Sequence, residues 1–426
     1  MRRETYLLTL LFMVFFLANS YHHQLRFFMW YGKFILLIVV GLSIYLSSKY
    51  QQIRFTNLSP SFAPVIIMLY GVVQLLQIYN SDLTTICFCA IEKNQYYLLL
   101  LGSLFVFATG WLLAKMLNFI EYWNTFKKAI IYGVGFVTYS NIVFYILGQN
   151  LGRGITSGRF TGWIDNPNTL GIILLGGFPV VLHEIFLANE NKKKLLLGLL
   201  FALMVFLLIV TGSRSALMGL VFTIIFMLWR LSFLLRSAGF LLAILLLLFF
   251  DGSLLLTISQ WSIFSPNMLP TFARNSVDIL SGRSEVWQLG WQLVNLAPLF
   301  GHGMGAEAVL IEALIPTTSI HQGVNVHNSY LSLLIASGWL GSAPILLLVV
   351  LGIIRATANI ISKNTQHNNP KIDLISVAFL VFVSHAFFET WIFSPGSVYG
   401  FVFWTFNFAL LSKPVDEGLN YKYIGV

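Results

Sequence analysis

Charge is scarce in this chain. Of its 426 residues only 10% are Asp, Glu, Lys or Arg, while 57% are hydrophobic, against about a quarter charged in an average soluble domain. A soluble fold of this length cannot hide so much apolar surface. Cysteine is nearly missing too. Cys87 and Cys89 are the two present; with one residue between them they are badly spaced for a mutual disulfide and lack zinc-site form. They read as structural filler. The chain also has no polar low-complexity linker and no internal repeat, which leaves a single domain over 1–426.

What fills the chain instead is a series of apolar runs, each long enough to cross a bilayer. They predict twelve transmembrane helices over residues 5–19, 27–47, 61–79, 95–114, 128–147, 168–187, 194–210, 215–230, 237–256, 328–350, 372–390 and 397–412. The first run, Tyr6 to Ala18, follows Arg2 and Arg3 and imitates a signal peptide. The residues after it, Asn19, Ser20, Tyr21 and His22, offer no small-residue cleavage site, so it is read as the first helix.

The net charge of +9 is read as topology rather than as affinity for nucleic acid. One alternating set of connections carries Lys49, Arg54, Lys115, Lys127, Lys128, Lys192, Lys193, Lys194, Arg230, Arg236, Arg355, Lys363 and Lys371. With Arg2, Arg3, Lys413 and Lys422 at the termini this makes 17 of the 25 basic residues. The other set has Arg26, Lys33, Lys93, Arg153, Arg159, Arg214, Arg274 and Arg283. The positive-inside rule then expects both termini in the cytoplasm, and an even helix count agrees.

Two outer connections are long, 148–167 and 257–327. The second, between the ninth and tenth spans, is expected to form an external cap. It contains an amphipathic piece in which Trp287, Trp291 and Val294 share one face, as in a helix lying along the membrane surface. Trp163, Trp261, Trp287 and Trp291 lie in the outer connections, where aromatic residues serve as an interfacial belt.

Three outer features carry chemistry. Gly158 to Asn168 ends in Asn166-Pro167, a cap and first-turn signal for the sixth span. Thr211-Gly212-Ser213-Arg214-Ser215-Ala216 is a tight turn that leaves Arg214 at the membrane boundary. Such a charge points by default to a functional partner, the plainer reading being an arginine snorkelling to headgroups. The long connection holds Gly282-Arg283-Ser284-Glu285-Val286-Trp287, then Pro298-Leu299-Phe300-Gly301-His302-Gly303, then His327-Asn328-Ser329-Tyr330-Leu331 at the start of the tenth span. Taken singly, His327 reads as an interfacial histidine bonded to a carbonyl, and His302 and His321 as solvated loop histidines.

Together these features say more. The sixth, eighth and tenth spans all begin on the outer face, so their positive dipole ends point the same way. Arg159, Arg214 and Arg283 come from loops on that face and suit a polyanion, since a guanidinium grips phosphate through two hydrogen bonds. Neighbouring positive charge would keep a nearby histidine neutral and able to accept a proton.

The Ser-Arg-Ser-Ala turn, the Gly-Arg-x-x-x-Trp helix followed by Pro-Leu-Phe-Gly-His-Gly, and His-Asn-Ser-Tyr-Leu resemble the bacterial O-antigen ligase/polysaccharide polymerase superfamily. The resemblance runs over about residues 95–410. It does not include the paired Arg-rich repeats described for some polymerases, and none is carried over.

The resemblance implies an all-α, GT-C-like membrane protein of the bacterial inner membrane with its active site on the periplasmic face. It implies a metal-independent, cofactor-free, inverting glycosyltransferase. The donor would be a glycan on a polyprenyl diphosphate, and the acceptor a hydroxyl on another glycan or on lipid A–core. Arg214 and Arg283, with Arg159 as a third, would hold the diphosphate, and His327 would be the base. The outer loops show no tight aspartate pair to hold a metal. The reading preferred here is a polymerase, with a ligase as the alternative. A transporter or flippase of lipid-linked glycans is the alternative of a different class. Transporters place ionisable residues at mid-membrane; Glu389 and His385, near the outer end of the eleventh span, come nearest to that here.

Overall fold

The computed structural model describes residues 63–80, 93–117, 120–148, 155–156, 159–164, 166–228, 283–314, 325–361, 370–393 and 398–412. Nine of the twelve expected spans overlap these residues, and a helix lies in each: α1 (Ala63–Asn80), α2 (Lys93–Met116), α3 (Ile120–Gly148), α4 (Pro167–Leu187), α5 (Asn191–Thr211), α6 (Arg214–Leu228), α9 (Ser329–Ile361), α10 (Pro370–His385) and α11 (Val398–Leu411). The expected spans 5–19, 27–47 and 237–256 lie outside the described residues, as do Cys87, Cys89, Trp261 and His321. Between α6 and α9 are α7 (Arg283–Leu296) and α8 (Ala306–Leu314). The connection before α4 contains a small departure from the all-helical expectation. There β1 (Ile155–Thr156) pairs antiparallel with β2 (Arg159–Phe160), followed by a 3-10 turn over Gly162–Ile164.

Four described helices are long and apolar enough to cross a membrane: Trp123–Leu147, Pro167–Leu187, Asn191–Thr211 and Ser329–Ile361. Of the most apolar window of Pro167–Leu187, 78% is buried inside the protein, against 33% in each of the other three. So α4 is the central helix, packed among α3, α5, α6 and α10. Small residues allow the approach. A Cβ on Gly171 would meet Ser213 at 2.9 Å, and one on Gly177 would meet Val134 at 2.7 Å, the close-packing device of helices in lipid.

The two ends of this bundle differ chemically. At the end of α4 away from its N-cap, Glu184 takes Lys127 Nζ at 2.5 Å and Lys193 Nζ at 3.3 Å. Lys127 and Lys371 both lie over the Trp123 ring, each 5.8 Å from its centroid. These lysines belong to the set that sequence assigns to one side, and they gather at one end.

The amphipathic piece needs correction. α7 buries Val286, Leu293 and Val294 in a second core with Leu310, Ile311, Val326, Leu331 and Ile335. Trp291 stays 46% exposed. The contact face is set by Gly290, where a Cβ would meet Leu331 at 2.8 Å. That shift turns Trp291 outward.

The Pro-Leu-Phe-Gly-His-Gly motif has a structural explanation. α9 is broken at Gly338 (φ 60°, ψ −173°), a region open essentially to glycine alone. The break frees backbone groups that must be paired elsewhere, and the 298–303 loop pairs them. His302 N–H donates to Ile335 O (2.7 Å), Gly303 N–H to Ala336 O (2.9 Å), Trp339 N–H to Pro298 O (2.7 Å) and Leu340 N–H to Leu299 O (3.0 Å). A Cβ on Gly338 would sit 2.3 Å from the Leu299 carbonyl carbon. Gly338→Ala is therefore expected to lower stability by at least the roughly 1–3 kcal/mol of such a conformation, read as a lower melting temperature in detergent. A variant melting like the wild type would contradict this packing.

Candidate active site

The turn signals before α4 hold in the structure. Asn166 caps the helix, its Oδ1 accepting from Asn168 N (2.8 Å) and Thr169 N (3.3 Å), and Pro167 occupies the first turn. The cap fixes Asn168, which bridges two side chains. Asn168 Oδ1 accepts from Arg159 Nη2 (2.8 Å), and its Nδ2 donates to Glu389 Oε1 (2.9 Å). Arg159 also donates from Nε to Thr211 O at 2.8 Å, which ties β2 to the end of α5.

The α5–α6 turn is as tight as its sequence suggests. Gly212 closes α5 in the left-handed region (φ 60°), its N–H on Ile209 O. Arg214 is then the first residue of α6 and is half-buried. Arg159 lies over the same turn, 3.6 Å from where a Cβ on Gly212 would be.

Glu389 is where these elements converge. α10 ends at His385, and the following turn brings the carboxylate back to the starts of α4, α7 and α9. Arg283 Nη2 donates to Glu389 Oε1 at 2.8 Å, and His327 Nδ1 lies 3.1 Å from Oε2. The side chains of Arg283 and Glu389 are 18% and 14% exposed, that of His327 31%. His327 is thus the member of this trio most open to a ligand. Burial would push the Glu389 carboxyl up; the hydrogen bond from His327 and the charge of Arg283 outweigh it and hold the group below its ordinary range. Glu389 is therefore a carboxylate at neutral pH.

This revises the electrostatics expected around His327. Sequence places positive charge beside the ring; the structure also places a carboxylate on Nδ1. An ionised carboxylate only accepts, so the proton of a neutral ring sits on Nδ1 and Nε2 carries the lone pair. From sequence Glu389 is only an ionisable residue near the end of a span; its contacts with Asn168, Arg283 and His327 make it the hub.

His327 itself has φ 48°, the one positive value of a non-glycine among the described residues. Its flanks are fixed. Asn328 caps α9 by accepting from Tyr330 N (3.0 Å) and Leu331 N (3.1 Å). Ser329 donates its N–H to Ala386 O (2.8 Å) and its hydroxyl to Glu389 O (2.7 Å).

Other candidates take structural parts. His302 Nε2 donates to Leu293 O at 2.7 Å, so this histidine ties the 298–303 loop to α7 rather than being solvated. The indole N–H of Trp163 donates to Ser140 Oγ (3.0 Å) and that of Trp287 to Val326 O (2.8 Å). Both rings are held by protein.

Arg159, Arg283 and His327 are thus linked, directly or through Asn168, to one carboxylate, and Arg214 stands in the turn that Arg159 covers. No curated protein matches the chain. The family model for O-antigen ligase matches residues 199–346, from within α5 to within α9, a stretch that contains Arg214, Arg283 and His327. By its long apolar helices the chain is a membrane protein, and over residues 199–346, less than half of its length, it is similar to the O-antigen ligase family.

Proposed function

We propose that this protein transfers a glycan from polyprenyl diphosphate to an acceptor hydroxyl at the outer face of the cytoplasmic membrane, acting as a polysaccharide polymerase. The observation that carries the reading is the shared carboxylate: Glu389 holds Arg283 at 2.8 Å and His327 at 3.1 Å. A cationic group and a candidate base are thereby fixed at one place, beside the helix starts that present Arg214 and Asn168.

In this reading His327 Nε2 takes the acceptor's hydroxyl proton as that oxygen attacks the anomeric carbon. The bond from that carbon to the diphosphate oxygen breaks on the opposite face, which inverts the configuration. Charge builds on the departing diphosphate, and fixed guanidinium groups aimed at it lower the barrier. Arg214 and Arg283 take this part, with no metal. Arg159 acts beside them, positioning Asn168 and the α5–α6 turn. Glu389 holds the ring of His327 and stabilises the imidazolium that forms.

A second reading, transfer to lipid A–core, is favoured by the description of the matching family model, O-antigen ligase. One experiment separates them. Purified protein in nanodiscs, given polyprenyl diphosphate-linked repeats in excess chelator, is expected to yield a ladder of longer lipid-linked chains. Silence until lipid A–core is added would make it a ligase. No covalent product with either acceptor would leave a transporter or flippase. Activity lost in chelator and restored by magnesium or manganese would overturn the arginine-based mechanism.

A further inference from the structure

Glu307 lies in the first turn of α8 and is 7% exposed. A buried carboxyl is costly unless its oxygens are paired. Here both are. Oε1 accepts from Val326 N at 2.7 Å, and Oε2 accepts from the Ser332 hydroxyl. These partners flank His327 on either side, one just before it and one in the first turn of α9.

Val326 is held on its other side as well, its carbonyl accepting from Trp287 Nε1 at 2.8 Å, and its side chain is fully buried in the second core. So the short corner from 326 to 332 is anchored to α7 through Trp287, to α8 through Glu307, and to the turn after α10 through Ser329. The residue at its apex is His327, whose φ of 48° is a left-handed conformation unfavourable for a non-glycine residue. Such a conformation persists only while its surroundings over-determine it. Glu307 supplies two of the bonds that do so.

We propose that Glu307 is a positioning residue whose buried carboxyl holds the Val326–Ser332 corner in the one conformation that keeps the His327 ring against Glu389. Its effect on the reaction rests on His327 being the base, as in the function proposed above; its effect on the ring's position does not. Burial pushes the Glu307 carboxyl up despite the bonds from Ser332 and Val326, so this is a group that tolerates neutrality. A neutral amide should therefore replace it. In Glu307→Gln the amide oxygen still accepts from Val326 N–H, and the amide nitrogen donates to Ser332 Oγ.

The test has two readouts on full-length protein in nanodiscs. The first is carbethoxylation of His327 by diethyl pyrocarbonate, followed by peptide mass spectrometry. Glu307→Ala should expose the ring and speed its modification several-fold, while Glu307→Gln should react like the wild type. An unchanged rate in Glu307→Ala overturns the proposal. The second is turnover with the lipid-linked donor. Glu307→Ala should lower kcat by about tenfold with KM nearly unchanged, less than the roughly 10²-fold that a full ångström of misplacement can cost. Glu307→Gln should restore it. In a His327→Ala background, Glu307→Ala should cost nothing further; a further loss of the same size would show general damage and overturn the proposal. Near-normal turnover of His327→Ala alone would instead overturn the base assignment, and the carbethoxylation rates would then decide the positioning role.

Discussion

His327→Ala is expected to lower turnover by about two to four orders of magnitude, the usual contribution of a positioned acid–base group. The ring's two nitrogens have different surroundings. Nδ1 faces the Glu389 carboxylate at 3.1 Å, which leaves Nε2 as the acceptor, on a side chain still 31% exposed. When that nitrogen takes a proton, Glu389 is already ionised and already in place, so no reorganisation is needed to stabilise the imidazolium. Donor binding should survive, because a base is not required to dock a diphosphate. Stability should be little affected, since the corner's anchoring hydrogen bonds run through Val326 N–H, Asn328 Oδ1 and the Ser329 hydroxyl rather than through the ring. The measurement is turnover, donor affinity and membrane abundance on the same preparations. Near-normal turnover would reject His327 as the base and move attention to Glu389 itself.

The parts of this site written in local signals were legible in the sequence. Asn166-Pro167 announces the start of α4 because capping depends on a few neighbouring residues. The Thr211–Ala216 turn announces itself through Gly212, which does adopt the left-handed region. The convergence of Arg159, Arg283 and His327 followed from placing three loops on one face. Glu389 was visible as an ionisable residue near a span end, but its role depends on where α10 stops. The apolar run suggests a helix to residue 390; the structure ends it at His385. Ser329 fixes the tight turn that follows, its hydroxyl accepting from Trp391 N at 3.0 Å. That bond joins residues 62 apart, which no periodicity encodes. The same holds for the face of α7. Its large tryptophans suggested one stripe, while the packing followed a glycine that admits Leu331. Nor does an apolar run disclose a break such as the one at Gly338, because the loop that satisfies it comes from residues 298–303.

Arg214 is expected to fail as lysine almost as badly as alanine, each losing about 10²–10³ in turnover, the scale of removing one preorganised donor to a developing anion. Its backbone position leaves little room for compensation. α5 is closed by Gly212, and α6 begins two residues later, with Leu217 N–H already bonded to Ser213 O at 3.0 Å. Arg214 therefore projects from a fixed point at the start of a helix. An ammonium there keeps the charge and loses the planar, two-point grip on phosphate oxygens. Arg159 gives the internal contrast. Its Nε and Nη2 donate to Thr211 O and Asn168 Oδ1, so its geometry serves the protein first, and its replacement should disturb the placement of Asn168 and Glu389 together. Arg214→Ala and Arg214→Lys should both insert and accumulate normally, and both should bind the diphosphate-linked donor more weakly. Full activity in Arg214→Lys would reduce this arginine to a generic positive charge. Selectivity for the leaving group would then rest on Arg283, the guanidinium that Glu389 holds in place.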